Sequence, residues 1–401
     1  MNKKKILNDP VYGFINIPYS IVFDLIEHRA FQRLRRIRQT GLSDFVYPGA
    51  LHTRFHHALG AMYLMQQAIQ VLRSKDVDIT DEEARAVSIA ILLHDVGHGP
   101  FSHALEHLLL NASHERLSLA IMRQLNEEFG GALDLCIEIF TDQYHKKFLH
   151  QLVSSQLDMD RMDYLNRDSF FTGVAEGKIG YDRIIKMLSV SDNELVVEEK
   201  GIYSIEKFLI ARRLMYWQVY LHKAVLSAEH MLIQVMARTR DLVKTGAQLP
   251  ISDRLSYLLK QQSDQSGDID KDWLEQFYQV DDVDVLMALK NFCHSDDQVL
   301  KFISNGLINR RLFRVELSPT PFTAKYIADI KSRISEQYGF GNEALSYVLL
   351  DGMESNRAYD DDHEEIKIKF KSGTVLPISE VSDIHVYKGL VEKHFLFYPK
   401  L

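Results

Sequence analysis

Residues 94–103, which read His-Asp-Val-Gly-His-Gly-Pro-Phe-Ser-His, hold the densest group of chemically versatile side chains in the sequence. The ten residues before them, 84–93, are almost all apolar and predict a buried helix that runs directly into His94 and Asp95. The glycines and the proline that follow are residue types that end a helix. Because an unpaired charge is costly to bury, this pattern favours a metal site over a hydrogen-bonded core histidine with a capping aspartate.

Two adjacent ligands cannot hold a metal ion alone, so other ligands must come from elsewhere in the chain. On the helix predicted over 55–72, His57 shares an apolar stripe whereas His56 shares a polar one. A buried histidine needs a partner, which a metal would supply, although a single such histidine is more often a satisfied core residue. Three aspartates could add a carboxylate, and their spacing does not choose among them: Asp158, Asp160 and Asp163. Nitrogen and oxygen ligands without thiolates suit a first-row divalent ion or magnesium and leave room for a water nucleophile.

Composition excludes several classes of protein. The 401 residues are 46% hydrophobic and 25% charged, which is typical of a globular protein and excludes a disordered or fibrous one. A net charge of −8 argues against a general nucleic-acid or membrane binder, yet residues 29–54 hold six arginines and one acid and permit a local polyanion site. Cys136 and Cys293 are too far apart in the sequence to suggest a disulfide framework or a thiolate zinc site. The absence of a signal peptide and of a long apolar run predicts a cytoplasmic protein with no membrane partner.

Helical periodicity dominates the sequence to about residue 300. Apolar spacings of three and four predict helices over 21–37, 55–72, 82–93, 114–129, 205–235 and 283–302. Thr80 and Glu83 predict a capping box at the start of the third of these helices. Further on, short β-type runs occur at 312–317, 345–350, 366–370 and 394–398, with a helix predicted over 324–337. We therefore expect a mainly α protein with a smaller C-terminal α+β region.

His57, His94-Asp95 and Asp160 together resemble the H…HD…D signature of the HD-domain metal-dependent phosphohydrolases. Further strings look like the dNTP triphosphohydrolase branch, which includes bacterial dGTPases and the vertebrate SAM-and-HD-domain dNTPase. Those strings lie at 8–10, 31–35, 47–50, 54–55, 94–103, 163–164 and 167–168. The resemblance covers roughly residues 5–230 and is weak beyond about 240. It implies an HD-domain catalytic core at 1–240, a helical extension at 241–307 and a regulatory or oligomer-forming α+β region at 308–401.

The resemblance also implies roles for individual residues. The metal ligands would be His57, His94, Asp95 and Asp160, and the cofactor a divalent ion, Mn, Mg or Fe. His103 matches the general acid for the leaving 5′-oxygen, and Glu106 occupies the neighbouring carboxylate position. Two more matches to active-site histidines are His98 and His114. An imidazole with a pKa near neutrality can donate such a proton, and a carboxylate can orient it.

Substrate contacts are implied at eight positions: Gln39, Arg54, Arg161, Tyr164, Asp168, Arg212, Tyr216 and Tyr220. Arg161 stands where the vertebrate enzyme has lysine, and its planar guanidinium changes the contact geometry with phosphate. Tyr164 against the sugar would exclude a ribonucleotide sterically. Tyr216 and Leu221 replace a histidine and a glutamine, so the preferred base is less defined. Without the resemblance, the helical face that carries Arg212 and Tyr220 is equally well explained as an aromatic packing face.

Several family members are activated by a nucleotide bound near the N-terminus at a subunit interface. The matching positions here are Lys5, Asn8, Glu27, Gln32 and Arg35. The resemblance therefore predicts a nucleotide-activated homo-oligomer, a dimer or a tetramer. The alternative is that the arginines between residues 29 and 38 form a solvated helix face.

The predicted reaction is metal-dependent hydrolysis of a dNTP, with dGTP preferred, to the deoxynucleoside and inorganic triphosphate. One alternative is an HD phosphohydrolase that acts on another nucleotide, such as an alarmone or a nucleoside monophosphate. The other is a non-catalytic sensor of nucleotides or single-stranded nucleic acid, and weak binding of single-stranded nucleic acid is also compatible with the enzyme.

Overall fold

The structure is a computed structural model that describes residues 5–110, 112–261, 269–356, 365–383 and 391–401. Its helices are α1 (Ser20–Glu27), α2 (Arg29–Gln32), α3 (Arg54–Arg73), α4 (Asp81–Leu93), α5 (Ser102–Leu105), α6 (His114–Glu128), α7 (Asp134–Phe140), α8 (Lys147–Val153), α9 (Met159–Thr172), α10 (Tyr181–Met187), α11 (Ile202–Met215), α12 (Lys223–Lys244), α13 (Asp253–Lys260), α14 (Lys271–Phe277), α15 (Asp282–Phe292), α16 (Gln298–Ile308), α17 (Ala324–Tyr338), α18 (Asn342–Val348) and α19 (Ile378–Val381). Short 3₁₀ turns lie at Arg33–Arg36, Ser43–Phe45, Ala175–Gly177 and Glu199–Gly201, and π-helical turns at Glu106–Leu110 and Tyr216–Tyr220. The protein is mainly α, as the sequence predicts.

The strands are β1 (Ile6–Asp9), β2 (Gly13–Asn16), β3 (Leu188–Ser191), β4 (Glu194–Glu198), β5 (Arg314–Ser318), β6 (Leu350–Asn356), β7 (Lys367–Lys369), β8 (Val375–Pro377) and β9 (Val391–Tyr398). They form an N-terminal β1–β2 hairpin, a sheet of order β3-β4-β7-β8 and an antiparallel sheet of order β5-β9-β6. In the second sheet, β4 pairs parallel with β7, with Val196 opposite Lys367. The C-terminal region thus contributes strands to a sheet begun by residues before 240, and the three-part division of the chain remains a prediction.

One continuous apolar core extends from Ile15 to Tyr398. Within it, α3 packs against both α4 and α9, and these three helices carry the central groups of the candidate site. The predicted capping box of α4 is confirmed, because the Thr80 hydroxyl accepts from the Glu83 amide while the Glu83 carboxylate accepts from the Thr80 amide. In the described part of the chain, no helix has both the length and the apolar character needed to cross a bilayer.

Three predicted helices are divided in the structure. Residues 21–37 form α1, α2 and a 3₁₀ turn, because His28 is extended and caps α2 by accepting from the Ala30 amide. The helix predicted over 205–235 is interrupted before α12, where His222 caps the new helix in the same way. The helix predicted over 283–302 is also two helices, since the side chain of Asp297 caps α16.

The strand predictions at 312–317, 366–370 and 394–398 are confirmed by β5, β7 and β9. The prediction of a strand over 345–350 is wrong, since α18 occupies most of it and β6 begins only at Leu350. Leu345 and Val348, three residues apart, are both buried on one side of α18. In so short an apolar run, helical and strand spacings are easily confused.

Candidate metal centre and active site

His57 lies on α3 with its side chain fully buried. Its Nδ1 donates to Oδ2 of Asp163 at 2.8 Å, while its Nε2 lies 3.1 Å from Oδ1 of Asp160. Burial lowers the pKa of His57, but the hydrogen bonds to Asp160 and Asp163 outweigh burial and raise the pKa to about 10. The space beside Nε2 therefore attracts positive charge, which a metal ion would supply in place of the proton.

His94 ends α4 and faces the same space. Its Nδ1 donates to the carbonyl oxygen of Ile91 at 2.6 Å, which leaves Nε2 to point into the site. That Nε2 atom lies 3.4 Å from the Nε2 of His57, 3.4 Å from a carboxylate oxygen of Asp95 and 3.5 Å from one of Asp160. The structure thus brings together the four predicted ligands, two imidazoles and two carboxylates. This donor set fits a first-row divalent ion or magnesium.

Both carboxylates of this set are held ionised. Burial raises the pKa of Asp160, but its hydrogen bonds to His57 and His94 lower that pKa well below its usual range. Burial also raises the pKa of Asp95, yet the charges of His94 and Arg54 hold it well below the usual range. The Arg54 guanidinium donates from Nη1 to Asp95, so it both neutralises and orients that carboxylate.

The loop after Asp95 packs directly on the start of α6. A Cβ atom at Gly97 would lie 2.3 Å from the carbonyl oxygen of His114 and 2.4 Å from the amide nitrogen of Ser118, so only glycine fits there. Arg33, fully buried, donates to the carbonyl oxygens of Val96 and His98 at 3.1 and 2.8 Å. The alternative of a solvated arginine face is therefore wrong at Arg33, which supports the loop.

Close packing of this loop places two histidines face to face. The rings of His98 and His114 stack with 3.9 Å between their centroids, and His114 Nδ1 lies 3.1 Å from a carboxylate oxygen of Glu106. Glu106 also accepts from the His114 amide at 3.0 Å. The side chain of His103, the predicted general acid on α5, lies outside the described residues.

A cavity of about 440 Å³ opens beside the candidate metal centre, a size that suits a small ligand. Eleven of the predicted residues are among those that line it: Gln39, Arg54, Asp95, His98, His114, Asp160, Arg161, Tyr164, Asp168, Tyr216 and Tyr220. Two side chains fix the carboxylate of Asp168. The Tyr220 hydroxyl donates to Oδ2 at 2.5 Å, and Nε2 of His52 lies 2.6 Å from Oδ1. Arg212 is not among these lining residues, and its Nη1 donates to Oε1 of Gln156 at 3.0 Å.

The cavity is not lined by any of the five residues predicted to bind an activating nucleotide: Lys5, Asn8, Glu27, Gln32 and Arg35. The ammonium group of Lys5 lies 3.4 Å above the ring of Phe23. The Nε atom of Arg35 donates to Oε1 of Gln32 at 2.9 Å, and its guanidinium covers the ring of Phe55 at 3.6 Å. The structure brings Gln32 and Arg35 together, and an activator role for the five stays a prediction.

The sequence did not predict the supporting roles of several residues around the site. Asp163, considered there only as a metal ligand, instead contacts Nδ1 of His57 and is itself held by Arg167, which also binds Asp9. His52, which positions Asp168, was missed as well. One signal was available, because Asp163, Arg167 and Asp9 all fall in strings that resemble the family, and Arg167 follows Asp163 by one helical turn.

The chain matches two family models, the HD domain over residues 54–168 and the HD associated region over residues 179–269. A crystal structure of a phosphohydrolase from Bacteroides thetaiotaomicron is 49% identical, covers 99% of this chain and 100% of its own, and superposes with a TM-score of 0.94. An uncharacterized protein of Bacillus subtilis, YwfO, is 29% identical over 100% of this chain and 93% of its own length. The deoxynucleoside triphosphate triphosphohydrolase SAMHD1 homolog of Dictyostelium discoideum is 30% identical over 61% of this chain, which spans about half (51%) of that relative.

Proposed function

The chain belongs to the HD-domain family of phosphohydrolases, and on that basis we propose that it hydrolyses a deoxynucleoside triphosphate to the deoxynucleoside and inorganic triphosphate. One observation carries the proposal. A single cavity joins the metal ligands Asp95 and Asp160, the arginines Arg54 and Arg161 and the aromatic wall that includes Tyr164. Charge for a polyphosphate and a surface for a nucleoside thus meet in one place. The similarity to the Dictyostelium enzyme supports the same substrate class.

The metal centre would be held by His57, His94, Asp95 and Asp160. When bound there, a divalent ion supplies Lewis acidity toward a phosphoryl group and activates a water molecule. The protein orients the donors beforehand, since the Nδ1 atom of each histidine is already engaged, with Asp163 in one case and with the Ile91 carbonyl in the other.

Two arginines would bind the phosphates. Arg54 is buried and aligned by its bonds to Asp95 and to the Ser102 hydroxyl, the latter at 2.8 Å. Arg161 is aligned by the carbonyl oxygen of Ser155, to which its Nε donates at 2.5 Å. Guanidinium groups fixed in this way stabilise the charge that develops in phosphoryl transfer without a reorganisation cost.

Departure of the 5′-oxygen requires a proton. Burial lowers the pKa of His114, but the hydrogen bond to Glu106 outweighs burial and raises the pKa above its ordinary value. Among the described side chains that line the cavity, His114 is therefore suited to donate a proton near neutral pH. His103, which the resemblance favours for this step, remains the other candidate.

The sugar would lie against Tyr164 and Asp168. His52 and Tyr220 hold Asp168 in one orientation, and Tyr164 and Tyr220 form an edge-to-face pair whose ring centroids are 6.4 Å apart. If the sugar lies against this wall as the resemblance implies, Tyr164 would exclude a 2′-hydroxyl sterically. Preference for dGTP, activation by a nucleotide and assembly into a homo-oligomer are further parts of the proposal, and they rest on the resemblance alone.

The test is turnover of each dNTP, alone and in pairwise mixtures, by protein loaded with Mn²⁺ or Mg²⁺. Chromatography should show inorganic triphosphate and deoxynucleoside, and mixtures should reveal any activation. Asp95→Ala should abolish turnover while nucleotide binding persists, whereas Asp81→Ala, an exposed aspartate on α4, should behave like the wild type.

Three results would contradict this function in different ways. If no dNTP yields triphosphate, the proposed reaction is wrong. Release of pyrophosphate or phosphate from other nucleotides would favour a different HD phosphohydrolase. Background turnover in both wild type and Asp95→Ala, with nucleotide binding retained, would favour a sensor.

A further inference from the structure

A buried chain of charged side chains connects the N-terminal β1–β2 hairpin to the candidate metal centre. Arg167 on α9 donates from Nη1 to Oδ2 of Asp9 at 2.7 Å and from Nε to Oδ2 of Asp163 at 2.9 Å. Asp163 in turn accepts from Nδ1 of His57 at 2.8 Å. All four residues are buried, and the most exposed of them, Asp9, is 8% exposed. We call Asp9, Arg167, Asp163 and His57 the hairpin relay.

We propose that Asp9 is a positioning residue for the metal centre, which it orients through Arg167 and Asp163. Docking of the hairpin and affinity for the metal ion are then linked, so that each strengthens the other. The inference rests on the metal site of the proposed function and is independent of its substrate.

The hairpin itself fixes the Asp9 carboxylate. Oδ1 of Asp9 accepts from the amides of Val11 and Tyr12, both at 2.9 Å, and the backbone of Asp9 pairs with Gly13. The orientation of this carboxylate therefore depends on the turn between β1 and β2. If the hairpin moves away from α9, the carboxylate must leave Arg167 as well.

Arg167 suits its place because a guanidinium presents several donors in a rigid fork. It bridges two carboxylates that would otherwise repel each other in a buried space. Removing the charge of Asp9 leaves Arg167 with one full partner, and a buried charge that loses a partner is strongly destabilised. The guanidinium is then expected to shift toward water and to pull on Asp163.

There is no free space between the hairpin relay and the backbone of α3. A Cβ atom at Gly60, one turn after His57, would lie 2.1 Å from Nη2 of Arg167 and 2.1 Å from Oδ1 of Asp163. The two side chains are thus pressed against the helix backbone that carries the metal ligand. Because Gly60 leaves no room for these side chains to move toward α3, we expect a displacement of Arg167 to displace Asp163 and, through it, the ring of His57.

The test compares two aspartates that have the same kinds of partner, a backbone amide and an arginine. Asp9→Asn keeps the shape and an acceptor for the Val11 and Tyr12 amides but removes the charge. The control is Asp297→Asn, since Asp297 also accepts a backbone amide, at 2.9 Å, and binds an arginine, Arg238, at 2.7 Å. The dissociation constant for Mn²⁺ alone is measured by electron paramagnetic resonance of the free ion, after circular dichroism has shown that each variant is folded.

The direct hydrogen-bond partner of a metal-bound histidine typically contributes about ten- to a hundredfold to metal affinity. Asp9 acts on that partner, Asp163, through Arg167, so we expect Asp9→Asn to bind Mn²⁺ more weakly than the wild type by about tenfold, at the lower end of that range. Asp297→Asn should retain wild-type affinity. Arg167→Lys, whose single ammonium group replaces the fork, should weaken binding as well. A second readout is hydrogen exchange of residues 6–16, which Mn²⁺ should slow in the wild type and leave unchanged in Asp9→Asn.

Unchanged Mn²⁺ affinity in folded Asp9→Asn would overturn the inference and leave the proposed function intact. Should Asp9→Asn fail to fold, hairpin exchange in the wild type that does not respond to Mn²⁺ would overturn it equally. A wild-type protein that binds no Mn²⁺ would count against both the relay and the metal site of the proposed function.

Discussion

The imidazole ring of His98 stacks on that of His114, with 3.9 Å between the ring centroids, yet the pKa values of the two rings are shifted in opposite directions. Burial, helped by the charge of Arg54, holds the pKa of His98 well below its usual value. The pKa of His114 is raised, because Glu106 more than offsets burial. Two neighbouring groups whose pKa values are pushed apart are a common sign of acid–base chemistry.

The Glu106→Gln substitution should change the pH profile of turnover. A protonated His114 is retained above its ordinary pKa of about 6.5 and is lost as the pH rises through the raised value. Activity that needs this proton should therefore fall on the alkaline side, and Glu106→Gln should move that limb to lower pH. The measurement is kcat/KM between pH 5.5 and 9.5, with the exposed Glu115→Gln as a control that leaves the limb in place. A limb that does not move in Glu106→Gln would exclude His114 as the proton donor.

Gly97→Ala should disrupt the loop that carries His98. The added Cβ would overlap backbone atoms of His114 and Ser118, which cannot rotate away, so we expect a loss of about 1 to 3 kcal/mol in the free energy of unfolding together with a large fall in turnover. Urea denaturation and steady-state rates measure both effects. Gly180→Ala is the matched control, because a Cβ at Gly180 meets no atom within 4 Å. Similar behaviour of the two variants would show that the loop tolerates displacement.

Removal of the metal ion should lower thermal stability as well as activity. An ion that binds only the folded protein stabilises it by about 2.7 kcal/mol when its concentration is a hundred times the dissociation constant. Chelation followed by addition of Mn²⁺ should therefore lower and then restore the Tm in calorimetry. Asp160→Asn, which replaces a charged carboxylate with a weaker, neutral oxygen donor, should show a smaller shift, and a full wild-type shift in this variant would place the ion elsewhere.

Glu229 makes stability depend on pH. It lines the cavity beside the candidate metal centre, and burial, with the charge of Glu354, raises its pKa to about 8. The folded protein keeps this proton up to that pH, whereas the unfolded chain loses it near pH 4.3, so its contribution to stability declines as the pH rises between about 4.3 and 8. Glu229→Gln removes the decline, and its Tm should exceed that of the wild type by an amount that grows from pH 5 to about pH 8 and is constant above it. The exposed Glu336→Gln should follow the wild type, and a Tm difference for Glu229→Gln that does not grow over this range would contradict the assignment.

Local sequence signals predicted much of the fold. The apolar run before His94 and the capping box at Thr80 define α4, and both depend on residues a few positions apart. The breaks at His28 and His222 were not predicted, since a histidine that caps a helix through its own ring resembles any other helical residue in a sequence. The parallel pairing of β4 with β7 depends on tertiary contacts and leaves no local pattern.

In the candidate site, too, local sequence signals predicted the types of residue, whereas the choice among them depends on tertiary contacts. Spacing could not choose among three aspartates because all lie within two turns of one another. In the structure Asp158 caps α9, Asp163 contacts the Nδ1 atom of His57, and Asp160 approaches the Nε2 atoms of both His57 and His94. The choice depends on the direction in which each side chain leaves the start of one helix, which requires the helix to be placed against α3.

The pairing of β4 with β7 also affects how the protein is synthesised. The strand partner of Val196 lies some 170 residues further along the chain, at Lys367. At ribosomal rates of about 5 to 20 residues per second, roughly 10 to 30 s pass between the synthesis of β4 and that of β7, and one edge of β4 is unpaired during this time. An unpaired strand edge is a site for aggregation, so the nascent chain passes through a defined interval in which this edge of β4 is open to pairing with other chains.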